Sequence, residues 1–538
     1  MSEESCDVVI IGAGVAGMSA AALLAKDFRQ SVVVLEKAPF IGGRTFTVVG
    51  KGNRVVIDGI EMDAREFQKA LGYARIILGK CTPDIETIFE KGLLDGLTFE
   101  GGGHGLFWGD KSRIQCVLNH IGEHIHMPLN KGFGFVKWNG EGKPGTFFQV
   151  KKGKSYEWMS PQGYRKTVEQ LHAMATLSRE DLASLMSISL QDWLERRDLH
   201  PEAYDYIKVL AASQTVQAEP AMTPAADFLG YMAIAREIGM NLVTGSVATV
   251  GGRGPIGIPL KMEEVLRTHG GDVRRNTSVR EVLVEGGRVT GVVCEGEDER
   301  RTINADRVVC TIPSRHMFKA LPKQAFPPDW VSRLETEYWG AGIMTGWGVF
   351  KRSIWRDVGI EPSSFIFMPG IIREGYIGAV DMVMTEVTAW DDGRAGRGPD
   401  GKHDFVFSTA LTDREMRDPA KVNRVIETCE AWGRATFPSW DEDMEFMIWT
   451  PAPEGYGIWR PVGSERPDVK SPFVDGLYLA GDQYGRRLWG GGVDGAALSA
   501  VLCVDAMMDS KLEEKIFPPY HRGIPEVPRS PQFGPEGM

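Results

Sequence analysis

The sequence predicts an α/β fold, and a stretch at each end of the chain carries that prediction. Residues 6–11 (CDVVII) are a short β-branched run, the pattern of a strand buried on both faces of a parallel sheet. They lead into Gly12-Ala13-Gly14-Val15-Ala16-Gly17, a helix-like segment at 18–28 rich in Ala and Leu, and a second β-branched run at 31–35 that ends in Glu36. Near the other end, residues 474–482 read as a turn, a short apolar strand and Gly481-Asp482. After a loop come Trp489-Gly490-Gly491-Gly492-Val493-Asp494-Gly495 and an apolar helix to about residue 508. Strand, glycine turn and helix in succession mark a sheet covered by helices.

Each part of the first unit has a physical task. Gly12 permits a tight turn, Gly14 lets backbone approach a pyrophosphate, and Gly17 lets helix and strand pack closely. The helix start offers unpaired N–H groups and its positive dipole end to phosphate. Glu36, nineteen residues past Gly17, is placed to accept hydrogen bonds from a ribose. The unit therefore predicts a Rossmann-like dinucleotide site. Gly42-Gly43-Arg44-Thr45-Phe46-Thr47 follows the acid, and two readings of it stand: Arg44 neutralises a phosphate through its planar fork, or a Gly-Gly turn carries a solvated arginine. At the far end, Asp482 is suited to ribityl hydroxyls and the second helix start to a cofactor ring or phosphate.

Composition narrows the class. A chain of 538 residues exceeds one ordinary core, which predicts two to four units. Lys plus Arg number 61 against 72 Asp plus Glu, a net charge of −11 that argues against a nucleic-acid partner. Seven scattered cysteines without a CxxC argue against a disulfide framework or zinc ribbon and suit the cytoplasm. Residues 8–25 are eighteen uncharged, mostly apolar residues, but three glycines divide them and acids precede them, so they read as buried strand, turn and helix. A peripheral membrane contact and an oligomer stay compatible with the sequence.

Taken together, these motifs resemble the FAD-dependent flavoproteins that include phytoene desaturases, carotenoid isomerases and retinol saturases, neighbours of the flavin amine oxidases. The resemblance also rests on Asp58-Gly59, on Asn276-Thr277-Ser278-Val279-Arg280-Glu281-Val282, and on strands near 289–293 and 305–310. It implies FAD, held in a discontinuous Rossmann-like domain of the glutathione-reductase type beside a substrate domain of mixed sheet covered by helices. The cofactor domain would comprise residues 1–75, 245–318 and 468–510. The substrate domain would comprise a helix-rich part at 76–244, in which the apolar spacing predicts a helix across 182–197, and a β-rich part at 319–467, in which a turn-rich loop at 391–403 joins strands at 380–390 and 404–411 as a long hairpin; 511–538, with six prolines, would form an extended tail. The resemblance also implies that Gly12, Gly14, Ala16 and Gly17 cradle the pyrophosphate, Glu36 and Lys37 flank the adenosine ribose, and Gly43, Arg44 and Thr45 approach the phosphates. Val279 would meet the adenine, Gly481 and Asp482 the ribityl chain, and Gly492, Val493 and Ala496 the isoalloxazine.

The reaction is less specified. Flavin amine oxidases carry a lysine on the substrate sheet where this chain has Thr345, and a cage aromatic where it has Gly492. The glycine-rich string at 490–496 resembles that of the desaturases instead. The resemblance thus implies an oxidoreductase that desaturates or saturates a C–C bond of an apolar or partly apolar small molecule, a hydride passing to flavin N5. Alternatives are an amine oxidase, a redox-neutral flavin-dependent isomerase and, more remotely, a non-catalytic prenyl-protein escort of the same fold. Retention of the glycines, Glu36, Arg44 and Asp482 argues against the escort. No catalytic group is named: Tyr484, Arg486, Arg487 and Trp489 are candidates, the arginines for a carboxylate or carbonyl and the aromatics as walls. The preferred plainer reading has the arginines neutralise the pyrophosphate or face solvent. Tyr456 and Trp459, with Trp489, would be the aromatics nearest the flavin. His120, His124 and His126 lack a ligand pattern, so no metal is expected. Gly251-Gly252-Arg253-Gly254 lacks an acid-ended strand, so no nicotinamide partner is expected, and the electron acceptor is undetermined.

Overall fold

The computed structural model describes residues 4–100, 106–129, 133–137, 143–149, 159–215, 220–240, 247–248, 250, 254–296, 299–359, 365–368, 380–385, 402–488 and 491–525. Val8–Ile11 forms the middle strand of a five-stranded parallel sheet, in the order Asp272–Arg274, Val32–Leu35, Val8–Ile11, Arg307–Cys310, Leu477–Leu479. Strands from three distant stretches of chain thus lie side by side. Alternate residues of each strand serve opposite layers, because strand side chains point alternately up and down. Val8 and Ile10 pack under the helices Val15–Phe28, Arg113–Ile121, Gly257–Thr268 and Gly492–Met508. Val9 and Ile11 pack against the antiparallel strands Ser278–Glu285, Arg288–Glu295 and Arg300–Asn304. The helices Val15–Phe28 and Gly492–Met508 meet through Ala20, Ala21, Ala497 and Ala500, all fully buried, and such small side chains allow close approach.

The second region is built on an eight-stranded mixed sheet whose three longest strands are His403–Thr412, Trp339–Phe350 and Met444–Trp459. One face carries Met344, Phe405, Phe407 and Trp449 into a core under the helix Pro419–Thr436. The opposite face carries Trp347 and Val406 towards a helical layer that includes Pro161–Ala175, Pro201–Thr215 and Ala225–Glu237. A mixed α/β architecture of a Rossmann-like region and a helix-covered mixed sheet is the fold class that the sequence predicts.

Three local readings differ from the structure. The helix expected across 182–197 is two short helices, Arg179–Ser184 and Leu190–Glu195, because Ser189 caps a new helix by accepting from the Asp192 N–H. The long strand Met444–Trp459 escaped the sequence reading, since Pro451 and Pro453 interrupt it as a strand pattern. The segment expected as an extended tail docks as far as residue 525, through the helix Leu512–Ile516 and the pair Ile524–Pro525 against Arg487–Leu488. Residues 386–401, read as part of a hairpin, and 526–538 lie outside the described residues. Among the described residues, no helix is long and apolar enough to cross a membrane.

Candidate functional site

The first strand delivers the chain to Gly12, which turns at φ +102° with Thr311 beside it. A side chain on Gly17 would collide with the Gly12 carbonyl oxygen, so only glycine lets the helix start this close to the strand. Gly14 occupies the cap position of the helix Val15–Phe28, whose first turn has neither a side-chain cap nor an acid. A Cβ built on Gly14 meets nothing within 4 Å. Uncapped N–H groups facing open space make a cradle suited to an anion.

Glu36 closes this cradle. Its carboxylate accepts from the Ala13 N–H at 2.8 Å and the Ala38 N–H at 2.9 Å, and burial pushes its pKa up against those bonds. The second glycine pair stacks on the first: the Gly42 N–H donates to the Ala13 carbonyl at 2.9 Å, and a Cβ on Gly43 would lie 3.5 Å from the Gly14 Cα. Thr45 holds that turn by donating its hydroxyl to the Gly42 carbonyl at 2.7 Å. Backbone bonds from Asn276 to Ala38 and Thr277 to Glu36 bring the strand bearing Val279 alongside. Lys37 is exposed, its ammonium 5.9 Å from the Tyr73 ring centre.

The C-terminal motif arrives at the same place. Arg44 forms an ion pair with both oxygens of buried Asp482, each at 3.2 Å. Gly457, on the long strand that sequence reading missed, abuts this pair, since a Cβ there would lie 2.6 Å from an Asp482 oxygen. The Gly481 N–H donates to Ser499 Oγ at 2.8 Å, tying the strand end to the helix Gly492–Met508. That helix also begins at a glycine without a side-chain cap, Gly491, and Val493 and Ala496 pack half-buried along its first turns. Two uncapped helix starts, a buried acid and an Arg–Asp pair fit a dinucleotide with its two phosphates and its hydroxyl-bearing chain.

Three of the four candidate catalytic residues are described, and each has partners within the chain. Tyr484 is buried in the core below the parallel sheet and donates to the Ile312 carbonyl at 2.7 Å, and burial holds its phenol well above the ordinary range. Arg486 turns towards Glu465 and Asp468, at 3.5 and 3.9 Å. Arg487 reaches Glu513 at 3.6 Å and the Arg522 carbonyl at 3.3 Å. Both arginines thus have acidic partners on this chain, Glu465 and Asp468 for Arg486 and Glu513 for Arg487. Trp489 lies outside the described residues, as does the Tyr456 side chain. Trp459 is buried near Arg466. The three histidines take separate partners: His120 with Asp27, His124 with Gln115 and Asn119, His126 with Asp110.

The eight-stranded sheet adds features that no motif signalled. Thr345 is paired between Ser408 and Thr450, so three hydroxyl residues lie abreast on the face that also carries Trp347 and Val406. Phe99 meets the Trp347 ring edge-on at 4.4 Å. Next to it, Glu100 is fully buried, and burial together with the charge of Asp404 pushes its pKa up to about 8. Asp227, on the buried helix Ala225–Glu237, receives Arg460 at 3.1 Å and Arg466 at 3.5 Å, all three buried. Elsewhere Glu454 gathers Arg75, His316 and Arg417; burial would raise its pKa, but the His316 hydrogen bond and the Arg75 charge bring it down to about 2.

Comparison with known proteins agrees with this geometry. Residues 10–60 match the NAD(P)-binding Rossmann-like domain. Dog amine oxidase [flavin-containing] B is 56% identical over 43 residues, which is only 8% of either chain. An oxidoreductase from Methanosarcina mazei is 18% identical, with a TM-score of 0.63 over 94% of this chain and 100% of that one. Cyclohexylamine oxidase from Brevibacterium oxydans is 16% identical, with a TM-score of 0.60 over 94% and 99%. At such identities the two structures speak for the fold alone. Residues 85–508 match the family of flavin containing amine oxidoreductases. The chain belongs to that family, and it is a flavin-dependent oxidoreductase whose cofactor is FAD.

Proposed function

We propose that this protein oxidises, or in reverse reduces, a C–C bond of an apolar or partly apolar small molecule. The observation that carries this reading is the row Thr345, Ser408 and Thr450, where an amine oxidase resembling this chain would present a lysine. Those hydroxyls suit a neutral hydrogen-bonding group. The aromatic and aliphatic side chains around them, Trp347 and Val406 among them, suit a hydrocarbon body and exclude water. Gly492, where a cage aromatic would stand, removes a wall that an amine would need.

FAD, when bound, supplies the hydride acceptor. In this reading Gly12, Gly14, Ala16 and Gly17 hold its pyrophosphate with Gly43, Arg44 and Thr45, while Glu36 and Lys37 flank the adenosine ribose. Val279 lies at the adenine, Gly481 and Asp482 at the ribityl chain, and Gly492, Val493 and Ala496 at the ring. The test is anaerobic bleaching of the flavin by polyenes, by cyclic ketones or acids, and by simple amines. Bleaching by one of the first two classes supports the proposal, and rapid bleaching by amines alone overturns it. A second reading, amine oxidation, is favoured by the family match and by the names of relatives such as cyclohexylamine oxidase. That outcome is its signature.

A further inference from the structure

The Asp494 carboxylate, buried on the first turn of the helix Gly492–Met508, does not serve its own helix. It accepts from the Ile114 N–H at 3.3 Å, and from the Arg113 N–H, at the start of the helix Arg113–Ile121. An acid on one helix thus caps the N-terminus of another, where partial positive charge is concentrated. The Arg113 guanidinium is itself fully buried, interacts electrostatically with Asp494, and donates from Nε to the His521 carbonyl at 2.8 Å.

Residues 511–525 close over this joint. Asp505 anchors their first turn by accepting from Leu512 N at 2.6 Å and Glu513 N at 2.8 Å, and buried Phe517 packs in the main core. The imidazole of His521, also buried, contacts the Lys111 carbonyl at 2.5 Å and lies 5.6 Å from the Trp108 ring. Ile524 then pairs with Leu488, and both join the helical core over the substrate sheet. The other charged groups acting on Arg113 are Glu513 and Arg487, and Cys116 also lies within its field. The acid and the base of this joint therefore sit where water cannot screen them.

We propose that Arg113 and Asp494, clamped by residues 511–525, are a positioning pair that sets the electrostatic potential at the helix start Gly492–Val493 and so tunes the reduction of the flavin. The inference rests on the reading that this helix start faces the isoalloxazine. A reduced flavin carries more negative charge than an oxidised one, so a nearby positive charge favours reduction and a negative one opposes it. Burial and the partial compensation by Arg113 leave the Asp494 carboxyl at about 6, which marks the joint as a place where charge is costly and strongly felt.

The experiment measures the midpoint potential of the bound flavin in the full-length holoprotein and in Asp494→Asn, Arg113→Met and the double variant, with the FAD dissociation constant measured in parallel. Asp494→Asn removes one negative charge from the joint and is expected to shift the potential positive. Arg113→Met is expected to shift it negative, and the double variant is expected to return close to the parent value. A merely structural role would weaken FAD binding in all three, with no opposed shifts. Should Asp494→Asn fail to fold, Arg113→Met carries the test alone through the sign of its shift. Unchanged potentials, or shifts of one sign, overturn the inference while the reading of the FAD site stands. A parent protein that takes up no FAD overturns that reading instead.

Discussion

The cofactor cleft and the substrate sheet are held together by different means. In the first region the backbone decides: Gly17 lets a helix touch a strand, and Gly14 stands at the uncapped start of that helix with nothing within 4 Å of a Cβ built there. On the eight-stranded sheet, the proposed substrate contact depends on which side chains three strands bring abreast, Thr345 with Ser408 and Thr450. Backbone requirements admit one residue type and leave a mark in the sequence. A side-chain surface assembled from residues 42 to 105 positions apart leaves none. The difference teaches why the cofactor could be named early and the substrate only by class.

The largest way to break this contrast is Gly17→Val. The new side chain cannot avoid the Gly12 carbonyl unless the helix leaves the strand, because even its Cβ would lie 2.1 Å from that oxygen. The expected outcome is loss of FAD binding and a lowered melting temperature, read by flavin absorbance and thermal unfolding. Next comes Asp227→Ala, which leaves Arg460 and Arg466 buried without that carboxylate. A broken buried pair costs about 3–5 kcal/mol, so denaturant unfolding should show a loss of that order.

Two carboxyls sharpen the comparison by responding to pH with opposite signs. The Glu100 pKa is raised from 4.5 to about 8 on folding, so its neutral form contributes stability below 4.5 that is lost as pH rises towards 8. Glu100→Gln should therefore gain on the parent protein across that window in denaturant titrations at several pH values. The Glu454 pKa is lowered from 4.5 to about 2, so its contribution is present above 4.5 and lost as pH falls towards 2. Glu454→Gln should flatten that acid limb.

The smallest effect is expected from Thr345→Val, which keeps the shape and removes one hydroxyl beside Ser408 and Thr450. Stability should change by about 1 kcal/mol or less and FAD content not at all, while the relative bleaching rates of polar and apolar substrates change.

The parts of the fold that follow local rules were legible in the sequence. The run from Val8 to Glu36 reads directly as strand, glycine turn, helix, strand and acid, and each lies where the pattern puts it. Met444–Trp459 was hidden because Pro453 sits where the strand shifts register against Trp339–Phe350 and Pro451 pairs with Met344 just before it, an arrangement set by the neighbouring strand. The partners of Arg487, Glu513 and the Arg522 carbonyl, carried no local signal either. Arg113 and Asp494 carried no sequence signal as a pair, being 381 positions apart and joined only by folding.

The most direct test is the flavin content of the purified full-length protein. The account predicts flavin absorption bands with FAD close to one per chain, released as FAD on denaturation. A colourless, folded protein that takes up no added FAD would contradict it.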